Sequence, residues 1–177
     1  MRIEVPDPSL VVLAGPSGAG KTTFAARHFG STEVVSSDAC RALVADDEAD
    51  QRATRHAFAL LHRIVAARLA LGSLTVVDAT NVQRSARRGL LKHAATHNVA
   101  AVAIVLDMPE ELCHERNRLR PARGFGPDVV QRQRAQLHAS QAGLKDEGFA
   151  AVWTLSSAAE VDGVAVARVP AGVEAPA

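Results

Sequence analysis

Short apolar runs alternate with segments of helical periodicity along this chain, and the alternation predicts an α/β fold. Runs of this length are typical of strands buried on both faces of a parallel sheet. The predicted strands are 10–14, 33–36, 74–78, 101–106 and 151–155, with a weaker one at 164–169. Strands that alternate with helices in this way form a mainly parallel central sheet flanked by helices.

A long helix is predicted over 50–71, and Gly72 is a suitable residue to end it. Its apolar positions recur at helical spacing: Ala57, Leu60, Leu61, Ile64, Ala67 and Leu71. Shorter helices are predicted over 85–97, 109–119 and 128–144, with Pro109 at a first helical position. Residues 1–169 form one predicted domain, and 170–177 a frayed tail or the start of a linker.

The first predicted strand leads directly into a phosphate-binding motif. Residues 15–22 read GPSGAGKT and match G-x-x-x-x-G-K-[ST], in which backbone N–H groups surround nucleotide phosphates. Lys21 is predicted to reach the β- and γ-phosphates, and the Thr22 hydroxyl to hold Mg²⁺. The predicted nucleotide contacts in and beside the loop are Gly15, Ser17, Gly18, Ala19, Gly20, Lys21, Thr22 and Thr23. The motif indicates ATP or GTP with magnesium, but it does not identify the phosphoryl acceptor.

Asp38 and Arg41 follow the second predicted strand. Ligands bind at the carboxyl ends of strands in open α/β sheets, so Asp38 is placed to accept a proton from an attacking hydroxyl. Arg41 is placed to hold an anionic group on the same acceptor. The alternative is that Asp38 only caps a helix and that Arg41 is a surface residue.

Asp78 ends the third predicted strand in a Walker-B-like arrangement. There it would orient Mg²⁺-bound water. The alternative is that its carboxylate caps the following loop.

The segment RNRLRPAR, residues 116–123, predicts an arginine-bearing lid. Arg116 and Arg120 lie four residues apart on one helical face, so both guanidiniums can point at the β- and γ-phosphates. The alternative is a solvated arginine-rich face. A second basic face, formed by Arg84, Arg87, Arg88 and Lys92, is interpreted as solvated surface, with nucleic-acid contact as the alternative.

Composition excludes some classes of protein. The chain has 177 residues, 47% of them hydrophobic, which is enough for one globular domain with a core. Its net charge of +1 argues against a long nucleic-acid footprint. No apolar run approaches the ~20 residues of a membrane-spanning helix, and the expected location is cytoplasmic. The two cysteines, Cys40 and Cys113, have neither metal nor redox spacing.

Three strings together resemble the 5′-hydroxyl kinase module of the bacterial polynucleotide kinase-phosphatase family, which heals RNA ends. They are SSDACRALVADDEADQ (36–51), LTVVDATNVQ (74–83) and RNRLRPAR (116–123). The resemblance runs from Leu10 to about Leu155. It implies a tunnel that takes ATP and Mg²⁺ at one end and a single-stranded 5′-hydroxyl RNA or DNA end at the other.

The resemblance also implies residue roles. Asp38 is similar to the family's general base, and Arg41 to its contact with the first internucleotide phosphate. Arg116 and Arg120 match the lid arginines that bind the ATP phosphates. Residues similar to those along the acceptor path are Gln51, Arg123 and Val129. Phosphatase and ligase modules of the same pathway are the implied partners.

Three alternatives remain open from the residues alone. The first is a kinase for a small metabolite such as a sugar, nucleoside or antibiotic. The second is a toxin-like kinase acting on a nucleotide sugar. The third is a nucleotide-dependent switch that transfers nothing.

Overall fold

The computed structural model describes residues 1–119 and 127–172, and a parallel sheet lies at its centre. The strands are β1 (Arg2–Asp7), β2 (Ser9–Ala14), β3 (Val34–Ser36), β4 (Thr75–Asp78), β5 (Ala100–Leu106), β6 (Ala151–Leu155) and β7 (Ala165–Pro170). Five of them form one sheet in the order β3-β4-β2-β5-β6, and every pair in it is parallel. β1 pairs with β7, also in parallel, as a separate two-stranded sheet. The predicted mainly parallel sheet is confirmed.

Helices connect these strands. They are α1 (Lys21–His28), α2 (Ser37–Ala45), α3 (Thr54–Ala70), α4 (Arg84–Thr96), α5 (Glu110–Arg118), α6 (Pro127–Gln141) and α7 (Ala158–Gly163). Short 3₁₀ turns span Gln51–Ala53 and Leu144–Glu147. The sequence analysis missed β1 and α7, which are six residues each.

The predicted ends of several elements need correction. Pro109 precedes the first residue of α5 instead of beginning it. Pro170, placed in a frayed tail, is the last residue of β7 and pairs with Asp7. The end of the tail, 173–177, and the lid residues Arg120 and Arg123 lie outside the described residues.

The core consists of two apolar clusters, one on each face of the sheet. Leu10, Val12 and Ala14 of β2 point into the cluster that α3 and α4 cover. Val11 and Leu13 point into the other, which α1 and α5 cover. All six residues of β2 are buried, and the five after Ser9 form a continuous apolar run.

Three strands end together at the edge of the sheet where the polar motifs lie. Leu13 of β2 is in register with Asp78 of β4, and Asp78 with Ser36 of β3. The loop after β2, the start of α2 and the end of β4 therefore converge. No helix in the described parts of the chain is long and apolar enough to cross a membrane.

Candidate active site

The loop between β2 and α1 depends on glycine at several positions. Gly18 and Gly20 have φ of 82° and 99°, a region that side chains rarely adopt. A Cβ at Gly18 would also collide with the backbone carbonyl of Cys113 in α5. The Lys21 ammonium donates to the carbonyls of Gly15 and Pro16, at 2.8 Å each, so its charge lies within the loop.

Thr22 and Asp78 place two oxygen atoms side by side at the start of α1. The Thr22 hydroxyl donates to Asp78 Oδ2 at 2.7 Å, and Asp78 is only 4% exposed. Carboxylate and hydroxyl oxygens suit Mg²⁺, which takes its other ligands from water and nucleotide phosphates. Within the described chain, no group of three or more His, Cys, Asp or Glu forms a metal site by itself. The donor pair therefore fits a magnesium–nucleotide complex.

Asp38 and Arg41 form an ion pair in the first turns of α2. Ser36 caps this helix by accepting from the Ala39 N–H, so Asp38 is not the cap. Arg41 Nη1 donates to Asp38 Oδ1 at 2.8 Å and to the Glu48 carbonyl at 2.7 Å. Arg41 is only 7% exposed, which makes the alternative of a surface arginine wrong. Its Nε–H is buried and has no partner among the described residues.

Helices α5 and α6 lie across the phosphate-binding loop. Arg116 Nη1 donates to the carbonyls of Gly18, at 3.4 Å, and Ala19, at 3.2 Å. The Ser17 hydroxyl donates to Asn117 Oδ1, and Asn117 Nδ2 donates back to the Ser17 carbonyl. Because of these contacts, one of the predicted lid arginines lies against the loop.

Helix α6 adds a contact that no motif indicated. The backbone N–H of Ser17 donates to the side-chain oxygen of Gln133 at 2.7 Å. Gln133 lies four residues after Val129, so the two share one face of α6. The four-residue spacing from Val129 could have indicated that Gln133 faces the same way, but nothing in the local sequence showed that this face of α6 would contact the phosphate-binding loop.

A cleft of about 870 Å³ joins these groups. Its lining includes Arg27, which donates to the Val161 carbonyl and to the Asp162 carboxylate. The predicted residues that line the cleft are Ser17, Gly18, Gly20, Lys21, Thr22, Thr23, Asp38, Arg41, Gln51, Asp78, Arg116 and Val129. Those that the sequence analysis missed include Thr54, Phe58, Asn117, Arg132 and Gln133. Gly15 and Ala19 belong to the loop, but they do not line the cleft.

The second basic face is partly buried. Arg87 is fully buried and makes a two-pronged ion pair with Glu147, at 2.6 and 2.8 Å, so its interpretation as solvated surface was wrong. Arg84, Arg88 and Lys92 are exposed, as expected.

A protein-family model described as an AAA domain, AAA_33, matches residues 10–144. The chain therefore belongs to this AAA-domain family. No curated protein matches the chain.

Several solved structures share the fold. A putative kinase from Chloroflexus aurantiacus J-10-fl is 18% identical with a TM-score of 0.63, and the match covers 86% of each chain. The Pnkp1/Rnl/Hen1 RNA repair complex contains a chain that is 22% identical with a TM-score of 0.62. That match covers 79% of this chain and 47% of the other, so our chain spans about half of its length.

Shikimate kinase from Acinetobacter baumannii, in complex with shikimate, is 19% identical with a TM-score of 0.56, and 88% of each chain is covered. At these identities the likeness establishes a fold, the α/β P-loop kinase fold.

Proposed function

We propose that this AAA-domain protein is a polynucleotide 5′-hydroxyl kinase, which transfers the γ-phosphoryl group of ATP to the 5′-hydroxyl of RNA or DNA. The observation that carries the proposal is the ion pair between Asp38 and the buried Arg41, in the same cleft as the phosphate-binding loop. A carboxylate and a buried guanidinium suit an acceptor that has both a hydroxyl to deprotonate and an anion close by. The resemblance of the three sequence strings supports the same acceptor.

On the donor side, the loop N–H groups and Lys21 bind the β- and γ-phosphates. To do so, the Lys21 ammonium exchanges its hydrogen bonds to the Gly15 and Pro16 carbonyls for hydrogen bonds to phosphate oxygens. Arg116 already lies 3.2 Å from the Ala19 carbonyl and neutralises charge on the transferred group. Thr22 and Asp78 would hold Mg²⁺, which neutralises phosphate charge when bound.

On the acceptor side, Asp38 orients the 5′-hydroxyl and accepts its proton as the O5′ oxygen attacks the γ-phosphorus in line. The new O5′–P bond forms while the bond to the β-phosphate oxygen breaks, and ADP leaves. Arg41, whose side chain lines the cleft, holds the first internucleotide phosphate. The proposal takes residues 1–169 as one kinase domain, with phosphatase and ligase modules as partners in the same pathway.

A kinase for a small acidic metabolite is the second candidate. A buried arginine beside a carboxylate equally suits a polyol acid, whose carboxylate would occupy the anion position. The shared fold with a shikimate kinase is compatible with this acceptor class.

Transfer of radiolabel from [γ-³²P]ATP tests the proposal, with equal concentrations of a 5′-hydroxyl trinucleotide, its 5′-phosphorylated form, a free nucleoside, shikimate and gluconate. We expect label on the 5′-hydroxyl trinucleotide alone. Label on an acid metabolite instead would establish the second candidate. ATP binding without label on any acceptor would favour the nucleotide-dependent switch.

A further inference from the structure

We infer that Arg132 forms a second phosphate subsite, which binds the phosphodiester that follows the one held by Arg41. The inference rests on the proposed function, because it requires an acceptor with more than one phosphodiester. Such a subsite would discriminate between a polymer, whose phosphates repeat, and a small acid that carries one anionic group.

The first support is the position of Arg132 on α6. Val129, Arg132 and Gln133 follow one another at helical spacing on one face, and all three line the cleft. The hydrogen bond from the Ser17 N–H to Gln133 fixes which face of α6 meets the loop. Arg132 therefore lies beside the same cleft as Asp38 and Arg41.

The second support is that the charge of Arg132 is available. No hydrogen bond or ion pair joins its guanidinium to the rest of the described chain, and the residue is exposed. The other cations that line the cleft, among the residues that the structure describes, are engaged. Lys21 and Arg116 contact the loop, and Arg27 pairs with Asp162 at 3.1 Å.

Exposure gives the order in which a strand meets these groups. The Arg41 side chain is 8% exposed and the Asp38 side chain 27%, whereas Arg132 lies at the exposed rim of the cleft. A strand whose 5′ end reaches Asp38 must lead outward, because the rest of the polymer lies in solvent. The buried Arg41 then meets the first phosphate and Arg132 a later one.

The test pairs a change in the protein with a change in the substrate. One acceptor is a 5′-hydroxyl trinucleotide with two phosphodiesters, and the other carries a neutral methylphosphonate at the second linkage. For Arg132→Ala we expect the KM of the first acceptor to rise about two- to fivefold, as for loss of an exposed ion pair. We expect kcat and the KM for ATP to stay unchanged, and both proteins to have equal KM values for the methylphosphonate acceptor.

Salt dependence gives an independent readout. Loss of one phosphate contact lowers the slope of log affinity against log salt by about 0.7 for a single strand. Arg132→Lys keeps the charge and should restore most of the affinity. Arg88→Ala is the matched control, because Arg88 is exposed on α4 and lines a different groove.

Three results would overturn the inference: an unchanged KM in Arg132→Ala, an equal rise for both acceptors, or a higher KM for ATP, which would place Arg132 on the donor phosphates. Failure of the proposed function is seen separately, in the wild-type protein. If that protein phosphorylates neither oligonucleotide, the proposed function and the subsite both fall.

Discussion

The side-chain oxygen of Gln133 lies 2.7 Å from the backbone nitrogen of Ser17, so an amide from α6 takes up one of the N–H donors of the phosphate-binding loop. Loop N–H groups of this kind bind phosphate oxygens. A nucleotide phosphate bound by this loop would therefore compete with the amide oxygen for the same donor.

Replacement of Gln133 by leucine should strengthen nucleotide binding, because the Ser17 N–H is released. A net hydrogen bond of about 1 kcal/mol corresponds to a Kd for ATP roughly fivefold lower. Isothermal titration calorimetry without an acceptor measures this change, with the exposed Gln131→Ala on the same helix as the control. Unchanged or weaker binding in Gln133→Leu would show that the contact does not compete with ATP.

Replacement of Asp38 by asparagine should remove transfer while ATP binding persists. The amide keeps the shape of the side chain and can still accept from Arg41, but it cannot take the proton, and a positioned base contributes about 10²–10⁴-fold. Single-turnover transfer measures the loss, and calorimetry with ATP tests binding. Asp146→Asn, at an exposed position outside the cleft, is the control. Near-normal turnover in Asp38→Asn would refute the assignment of the base.

Replacement of Gly18 by alanine should destabilise the protein and displace α5 from its contact with the phosphate-binding loop. The residue has φ of 82°, and the added methyl would meet the carbonyl of Cys113. We expect the free energy of unfolding to fall by about 1–3 kcal/mol. Urea denaturation measures it. Gly163→Ala is the control, because nothing lies within 4 Å of its Cβ position and its φ is ordinary.

Removal of one partner of the buried Arg87–Glu147 pair should lower the free energy of unfolding more than removal of both. Arg87→Met leaves the buried carboxylate of Glu147 with only the exposed Arg84, at 4.0 Å, to balance its charge, a loss of about 3–5 kcal/mol. Arg87→Met with Glu147→Leu should recover most of that loss. Urea denaturation of the single and double variants compares them. The exposed neighbour Arg88→Met should change little, and equal losses in the single and double variants would contradict the account.

The protein should lose stability as the pH falls below about 6.5. His62 Nδ1 and His93 Nε2 lie 3.1 Å apart, and burial lowers the pKa of each imidazole from its ordinary value of 6.5. Above pH 6.5 both rings are neutral in the folded and unfolded chains. Below it the unfolded chain takes up protons first, so the stability is lost as the pH falls towards the lowered pKa values.

Urea midpoints at pH 7.5, 6.5 and 5.5 measure this loss. The double variant His62→Gln with His93→Gln should show a shallower dependence on pH, because its side chains do not titrate. The same pH dependence in both proteins would mean that the pair does not contribute.

Local patterns were enough to predict the sheet and the loop. The apolar run of β2 and the glycine spacing after it are short-range features, and the structure confirms both elements. The register of α3 was only partly right. Ala67 and Leu71 are exposed, and Val65 and Leu69 are buried in their place, because the neighbours that cover a helix come from elsewhere in the chain.

Long-range contacts account for what the sequence analysis missed at the site. Gln133 meets Ser17 across 116 residues, and Arg87 meets Glu147 across 60. No local periodicity records either separation. An arginine within a basic face therefore looked solvated, although a distant carboxylate holds it in the interior.

The pairing of β1 with β7 has a consequence for the order in which the protein is made. Arg2 of β1 is in register with Ala165, so the ribosome must extend the chain from Arg2 to Ala165 before the first strand can begin to pair. Ile3 and Val5 of that strand are fully buried in the finished protein. Until β7 has left the exit tunnel, these side chains stay uncovered on that side, and a nascent chain is open to chaperones there.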